Sequence, residues 1–326
     1  MSSLQLKLEE LFTPIRLGAL SMQHPVAMAP MTRRRADQDG ATSIAERAMG
    51  HPGAPGIWTE SQINSWKEVT NAVHAKGSFI FCQLWVGRVA RCEVLPSQYD
   101  VMSSGDIQVG TLTKSHPLTA REIDEYVELW AQASRNAILA GYLLDQFLQT
   151  TSNNRTDEYG GSVENRIRFP LRVARAIVEA IGADRVGIRL SPYERFQGVY
   201  MEGNELQYTF STLIQRLSEL NLAYIHMTEP RISGLLAGQE TPGLPETLDW
   251  ATKIWKFTNH PVILAGGYTS ELAESRVTEG KQRGEEVIIA FGRPYIISFA
   301  PFHRATLGAQ GVSPEHGYTD YPFANK

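Results

Sequence analysis

Short apolar runs alternate with longer amphipathic stretches along most of the chain. Pro25–Pro30 (PVAMAP), Phe79–Leu84 (FIFCQL), Val186–Leu190 (VGIRL), Ala223–Met227 (AYIHM), Pro261–Ala265 (PVILA) and Val287–Phe291 (VIIAF) are five or six residues long, too short for helices. Their length, and the β-branched or aromatic content of most of them, predict buried strands. Between them, Glu60–Lys76 sets Ile63, Trp66, Val69, Thr70 and Val73 at helical spacing before Gly77 stops the pattern. Thr119 opens a second helix with a capping box closed by Glu122, and Ile123, Tyr126, Leu129, Trp130, Ala133 and Ala137 continue its apolar face. Glu164–Ile181, Leu206–Leu220 and Leu248–Thr258 carry further helical patterns. Strands alternating with helices predict a parallel sheet joined by crossovers, an α/β fold of the (β/α)8 TIM-barrel type.

Six strands are recognisable where a closed barrel needs eight. The stretch from Ala36 to Pro55 holds no apolar run worth calling a strand. The helix ending near Gly141 runs straight into Tyr142-Leu143-Leu144-Asp145-Gln146-Phe147-Leu148, so no fourth strand intervenes. Ser43–Met49 and the long irregular excursion Arg91–His116 are the candidates to fill in, and both are poor strands. Each missing strand exposes edges of unpaired amides and carbonyls, which predicts an incomplete or distorted barrel.

Candidate chemistry concentrates between His260 and Tyr295. Two strands there end in glycine, at Gly266-Gly267 and at Gly292, and Arg293 follows the second turn. In a parallel sheet both turns lie on the C-terminal side, where free amides and a cation form a phosphate cradle; ordinary tight turns are the other reading. Gln83 is an amide in an apolar strand, either a satisfied core glutamine or a reader of a heterocycle's donor and acceptor edge. Arg189, inside a strand, calls for an anion: an internal carboxylate, a cofactor phosphate or an anionic ring edge.

The totals narrow the class. The chain has 326 residues, a net charge of -4, 20% charged and 42% hydrophobic residues. That balance favours a globular enzyme over a nucleic-acid binder or a disordered chain. Cys82 and Cys92 are too few for a disulfide framework and suggest a reducing compartment, with Cys82 expected as a buried free thiol. The first residues lack a signal-peptide pattern and no run approaches membrane-spanning length, so a cytoplasmic location without membrane association is expected. The eight histidines form no metal-ligand pattern, and neither a GxSxG elbow, a Walker loop nor GxGxxG after a strand occurs.

With these residues in view, the chain resembles the old yellow enzyme family of FMN-dependent ene-reductases, especially fungal members such as the chanoclavine-aldehyde reductases. The matching segments include Ala27–Arg33 (AMAPMTR), Pro55–Trp58 (PGIW), Phe79–Arg88 (FIFCQLWVGR), Gly141–Gly161 (GYLLDQFLQTTSNNRTDEYGG), Val186–Tyr193 (VGIRLSPY), His226–Pro230, Leu264–Tyr268 (LAGGY), Ala290–Arg293 (AFGR) and Gly317–Phe323 (GYTDYPF). They span nearly the whole length, which implies one FMN-binding domain over residues 1–326. The resemblance implies that Pro30 and Thr32 line the flavin ring, Gln83 bonds its pyrimidine edge and Arg189 sits at its electron-rich edge. Gly266, Gly267, Gly292 and Arg293 would hold the FMN phosphate, and Tyr142 would deliver a proton to the substrate α-carbon. NAD(P)H is the implied reductant, and the implied substrate is an enone or enal in fungal secondary metabolism, acted on by a monomer or homodimer.

The sequence departs from the family in the electrophilic half of the site. The His/Asn or His/His pair that polarises the substrate carbonyl belongs to the fourth strand, immediately before the tyrosine, and Asn136-Ala137-Ile138-Leu139-Ala140-Gly141 offers no counterpart. The expectation is therefore an NAD(P)H-dependent reductase of the C=C bond. Its alternative is a non-redox isomerase or cyclase, or a catalytically silent scaffold, that lost the carbonyl clamp.

Overall fold

The computed structural model describes residues 8–31, 44–48, 56–84, 86, 100–107, 115–136, 142–195, 200–201, 203–230, 247–292 and 295. An antiparallel hairpin, β1 (Ile15–Leu17) and β2 (Leu20–Met22), precedes β3 (Val26–Met28). Helix α1 (Glu60–His74) follows, then a two-residue parallel pair, β4 (Met102–Ser103) and β5 (His116–Pro117). Helices α2 (Ala120–Asn136), α3 (Tyr142–Leu148), α4 (Val163–Arg166) and α5 (Arg168–Ile181) lead to β6 (Gly187–Leu190). The chain then alternates through α6 (Gly203–Ser218), β7 (Tyr224–Thr228), α7 (Asp249–Trp255), β8 (Val262–Ala265), α8 (Ser270–Arg283) and β9 (Val287–Phe291).

Five strands pair in the order β3-β9-β8-β7-β6, every pair parallel. First and last strands of a barrel are thus neighbours, as closure of the wall requires on that side. On the other side the expected neighbours are lacking among the described residues. Phe79–Leu84, expected as a strand, pairs with nothing there and is not a strand. A ladder strand needs partners, and this segment's two predicted neighbours are the ones the sequence omits.

The described residues of the two candidates to fill the gap do not enter the sheet. Glu46–Ala48 is a single 3-10 turn, and the described parts of the excursion after Arg91 supply β4 and β5, which pair with each other in a separate sheet.

Strand alternation separates two apolar layers. Val26, Ile188, Leu190, Ile225, Met227, Val262, Leu264, Val287, Ile289 and Phe291 join a large core with the helices, among them Trp130, Phe169, Phe210 and Trp255, each nearly fully buried. The opposite face gathers Ala29, Tyr224, Ile263, Ala265, Ile288 and Ala290, with Ala27 and Phe81 packed against it. That second face is the inside of the barrel wall. The hairpin closes its N-terminal end, where Leu17 is buried and Ile15, Leu20 and Met22 pack on the same cluster. Its turn needs glycine: Gly18 has φ +57°, and a Cβ there would lie 2.2 Å from the Asp184 carbonyl oxygen.

Phe79–Leu84 keeps the two-residue period of a strand even without a ladder. Phe81 meets Tyr224 edge to face on the inner side, ring centroids 5.3 Å apart, whereas Cys82 and Leu84 belong to the outer core. Cys82 forms no disulfide among the described residues and is half-buried where full burial was expected. No helix among the described residues is long and apolar enough to cross a membrane.

Candidate functional site

Because all five strands run the same way, their C-terminal ends open on one rim. Ala29-Pro30-Met31, Ser191, Glu229, Gly266-Gly267 and Gly292 follow β3, β6, β7, β8 and β9 in turn. Thr228, Ala265, Ala290 and Ala27 stand in register across four strands. Those four small side chains belong to the inner face and leave room above the wall.

The two glycine turns differ in constraint. Gly266 has φ +120° and Gly267 φ +65°, conformations that side chains rarely adopt. A Cβ at Gly266 would sit 3.2 Å from the Glu229 Cβ and 3.3 Å from its backbone nitrogen and oxygen. At Gly292 a Cβ would meet the Met31 sulfur at 3.4 Å, an ordinary contact, so that turn is less crowded. Helix α8 starts directly after Thr269, whose hydroxyl caps it by accepting from the Leu272 N–H.

Arg189 projects from β6 on the inner face. Its Nη2 donates to Thr228 Oγ1 at 3.0 Å and its Nη1 lies 3.4 Å from His226 Nε2. Ser191 Oγ comes within 3.4 Å of the same Thr228 hydroxyl. The sequence signalled the arginine; these neutral neighbours on β7, two residues apart on one side of that strand, were legible from alternation once AYIHM was read as a strand. His226 is buried, and that burial, reinforced by the Arg189 charge, holds its imidazole well below its usual range. A neutral ring beside a guanidinium accepts at Nε2.

Gln83 is half-buried beyond the sheet. By the alternation that sets Phe81 inside and Cys82 and Leu84 outside, it shares the inner side with Phe81. Pro30 is exposed on the rim after β3. Tyr142 begins α3, and its side chain lies outside the described residues, as do Thr32 and Arg293.

Helix α3 is anchored through its C-terminal end. Asn153 Nδ2 donates to the carbonyls of Phe147 at 2.7 Å and Tyr159 at 2.8 Å, and Ser152 and Ser104 hydroxyls both donate to the Gln146 carbonyl. Arg166, 4% exposed, donates to the Leu148 carbonyl at 2.9 Å and to Glu205 and Thr209 on α6 at 2.9 and 3.0 Å. The polar run Ser152–Gly161 is thus a scaffold that satisfies the orphan carbonyls of α3 and fixes where its first residue stands. Among the described residues no three His, Cys, Asp or Glu side chains cluster as metal ligands.

The NADH:flavin oxidoreductase / NADH oxidase family matches residues 39–306. The chain belongs to that family. Chanoclavine-I aldehyde reductase of Penicillium roqueforti is 38% identical over 366 residues, covering 97% of this chain and 96% of the relative. An NADP-dependent oxidoreductase of Aspergillus flavus is 38% identical over 376 residues, with 98% and 97% coverage. Both aligned stretches exceed the 326 residues of the chain, so the relatives carry segments without a counterpart here. Among solved structures, morphinone reductase superposes with a TM-score of 0.81 at 31% identity, covering 98% of this chain and 97% of its own. The old yellow enzyme homologue from Zymomonas mobilis gives 0.81 at 29% identity, with 96% and 99% coverage. The chain is accordingly an old yellow enzyme relative, similar to fungal reductases and built on a (β/α)8-type barrel. FMN is the cofactor of this family and NAD(P)H its reductant.

Proposed function

We propose that the protein reduces the C=C bond of an α,β-unsaturated carbonyl compound at the rim formed by β3, β9, β8, β7 and β6. The observation that carries this reading is the conjunction, at the ends of parallel strands, of two glycine turns on neighbouring β8 and β9 with Arg189 on β6. The residues present fit FMN. Gly266 and Gly267 both adopt positive φ, a backbone arrangement that can present amides to a phosphate, and the in-register row of small side chains suits a flat ring.

In this reading Gly266, Gly267, Gly292 and Arg293 hold the phosphate. Pro30 and Thr32 line the ring, Gln83 bonds its pyrimidine edge and Arg189 sits against the edge that carries negative charge when reduced. When bound and reduced by NAD(P)H, FMN supplies the hydride. Tyr142 supplies the proton to the α-carbon, and Asn153 and Arg166 anchor the C-terminal end of the helix it begins. The substrate class, an enone or enal of fungal secondary metabolism, follows from the relatives named as chanoclavine-I aldehyde reductase and its like. One domain over residues 1–326, in a cytoplasmic monomer or homodimer, completes the proposal.

A second reading has its own support. Only five residues separate the end of α2 from Tyr142, so the family's carbonyl-binding pair has no segment to occupy. A relative in Epichloe festucae var. lolii, 36% identical, is named a probable inactive reductase. A silent scaffold or a non-redox isomerase or cyclase would keep the flavin turns and lose turnover. Anaerobic mixing of the purified yellow protein with NADPH separates the two. Bleaching of the flavin followed by reoxidation on adding 2-cyclohexen-1-one supports the reductase; a flavin that bleaches and stays bleached supports the second reading, and a colourless protein defeats the first.

A further inference from the structure

We infer that Glu229 and Tyr268 form a positioning clamp that sets the Gly266-Gly267 turn and, through it, the discrimination between a phosphorylated and an unphosphorylated flavin. The inference rests on the proposal that this turn receives the FMN phosphate. Glu229 follows β7, and its backbone N–H donates to the Ala265 carbonyl at 2.8 Å, extending the ladder to the last residue before the turn. Its side chain reaches past the glycines: Tyr268 donates its hydroxyl to Glu229 Oε1 at 2.8 Å. One residue therefore grips the Ala265–Tyr268 segment at both ends.

Between those grips, Gly266 lies flat on Glu229. The space a Cβ would take is bounded by the Glu229 Cβ at 3.2 Å and by its backbone nitrogen and oxygen at 3.3 Å. Glu229 is fully buried and Tyr268 nearly so, which makes their bond a committed one: a buried hydroxyl and carboxyl oxygen have little access to water as a substitute. Neither side chain needs to touch the ligand. Their effect is to keep two left-handed glycines in a single arrangement, so that the amides of the turn stay aimed at one point instead of sampling several.

The full chain, freed of bound flavin, is titrated with FMN and separately with riboflavin, following quenching of flavin fluorescence. The wild type should prefer FMN. Tyr268→Phe and Glu229→Ala should each lose about tenfold in FMN affinity while riboflavin affinity stays unchanged, the size expected for one hydrogen bond. Glu229→Gln, whose amide oxygen still accepts from Tyr268, should retain the preference. An FMN-to-riboflavin ratio in Tyr268→Phe equal to that of the wild type, or an equal loss for both flavins, overturns the clamp. If Glu229→Ala does not fold by near-ultraviolet circular dichroism, Tyr268→Phe decides alone. A wild type that prefers neither flavin removes the phosphate reading itself, and the clamp with it.

Discussion

Arg189 and His226 face each other across adjacent parallel strands, with Nη1 of the guanidinium 3.4 Å from Nε2 of the imidazole. Burial first, and the arginine charge second, keep His226 neutral in the folded protein. The unfolded chain offers the same ring to water, where it takes up a proton near pH 6.5. Proton uptake on unfolding makes stability fall as the pH drops below about 6.5, by up to about 1.4 kcal/mol per pH unit, and leaves it flat above. Urea midpoints measured from pH 8 to pH 5 should show that decline, and His226→Gln should reduce its slope relative to the wild type.

Gly266 and Gly292 should respond differently to the same substitution. Gly266→Ala forces a side chain into φ +120° against Glu229, which costs about 1–2 kcal/mol of strain and displaces the turn. Gly292→Ala meets the flexible end of Met31 at 3.4 Å and the Ala29 Cβ at 3.9 Å, both ordinary contacts. The purified Gly266 variant should therefore carry little flavin by its visible absorbance relative to protein, and its urea midpoint should drop. The Gly292 variant should stay near the wild type in stability.

Much of the fold was legible because β6, β7, β8 and β9 are short, mostly apolar runs buried on both faces, and burial of that kind needs no knowledge of neighbours. FIFCQL shows where such reading ends. Its pattern is that of a strand, and its side chains still alternate between the inner and outer layers, yet a ladder depends on partners the local sequence does not encode. The site divides similarly. Glycines after strands and an arginine within one announce themselves, whereas His226, Thr228, Glu229 and Tyr268 acquire their meaning from pairing β7 with β6 and β8. The helix read as Glu164–Ile181 is divided into α4 and α5 at Ile167, whose backbone stays right-handed helical, and Arg166 at the end of α4 donates to the carbonyl of Leu148.

Arg166 should be among the costliest surface-to-core deletions in the chain. It is buried, and it donates to Leu148, Gly161, Glu205 and Thr209 at once. Arg166→Met leaves those acceptors short of a donor and should destabilise by about 3 kcal/mol, read as a lowered urea midpoint. Lysine cannot restore the fork, so Arg166→Lys should recover less than half of the loss.

The open side of the sheet predicts a gradient in amide protection. Strand β8 is bonded on both sides, to β7 and β9, whereas among the described residues β3 and β6 have one partner each. Native-state hydrogen exchange should find Val262–Ala265 among the slowest amides. Val26–Met28 and Gly187–Leu190 should exchange faster, because an edge opens by local fraying and a central strand only by larger unfolding.

Tyr142 provides the sharpest test of the proposed chemistry, because two half-reactions depend on it differently. Reduction of the flavin by NADPH involves no proton from a phenol at the substrate carbon. Reduction of an enone does. Tyr142→Phe keeps the ring and the start of α3, so the anchoring of that helix through Asn153 and Arg166 is undisturbed. Stopped-flow mixing with NADPH should then give a flavin-bleaching rate within about twofold of the wild type, while enone-dependent reoxidation should slow by about a hundredfold or more, as for loss of a positioned general acid. Equal slowing of both halves would instead indicate that the phenol helps to build the flavin pocket, and an unchanged oxidative rate would show that the proton comes from another donor.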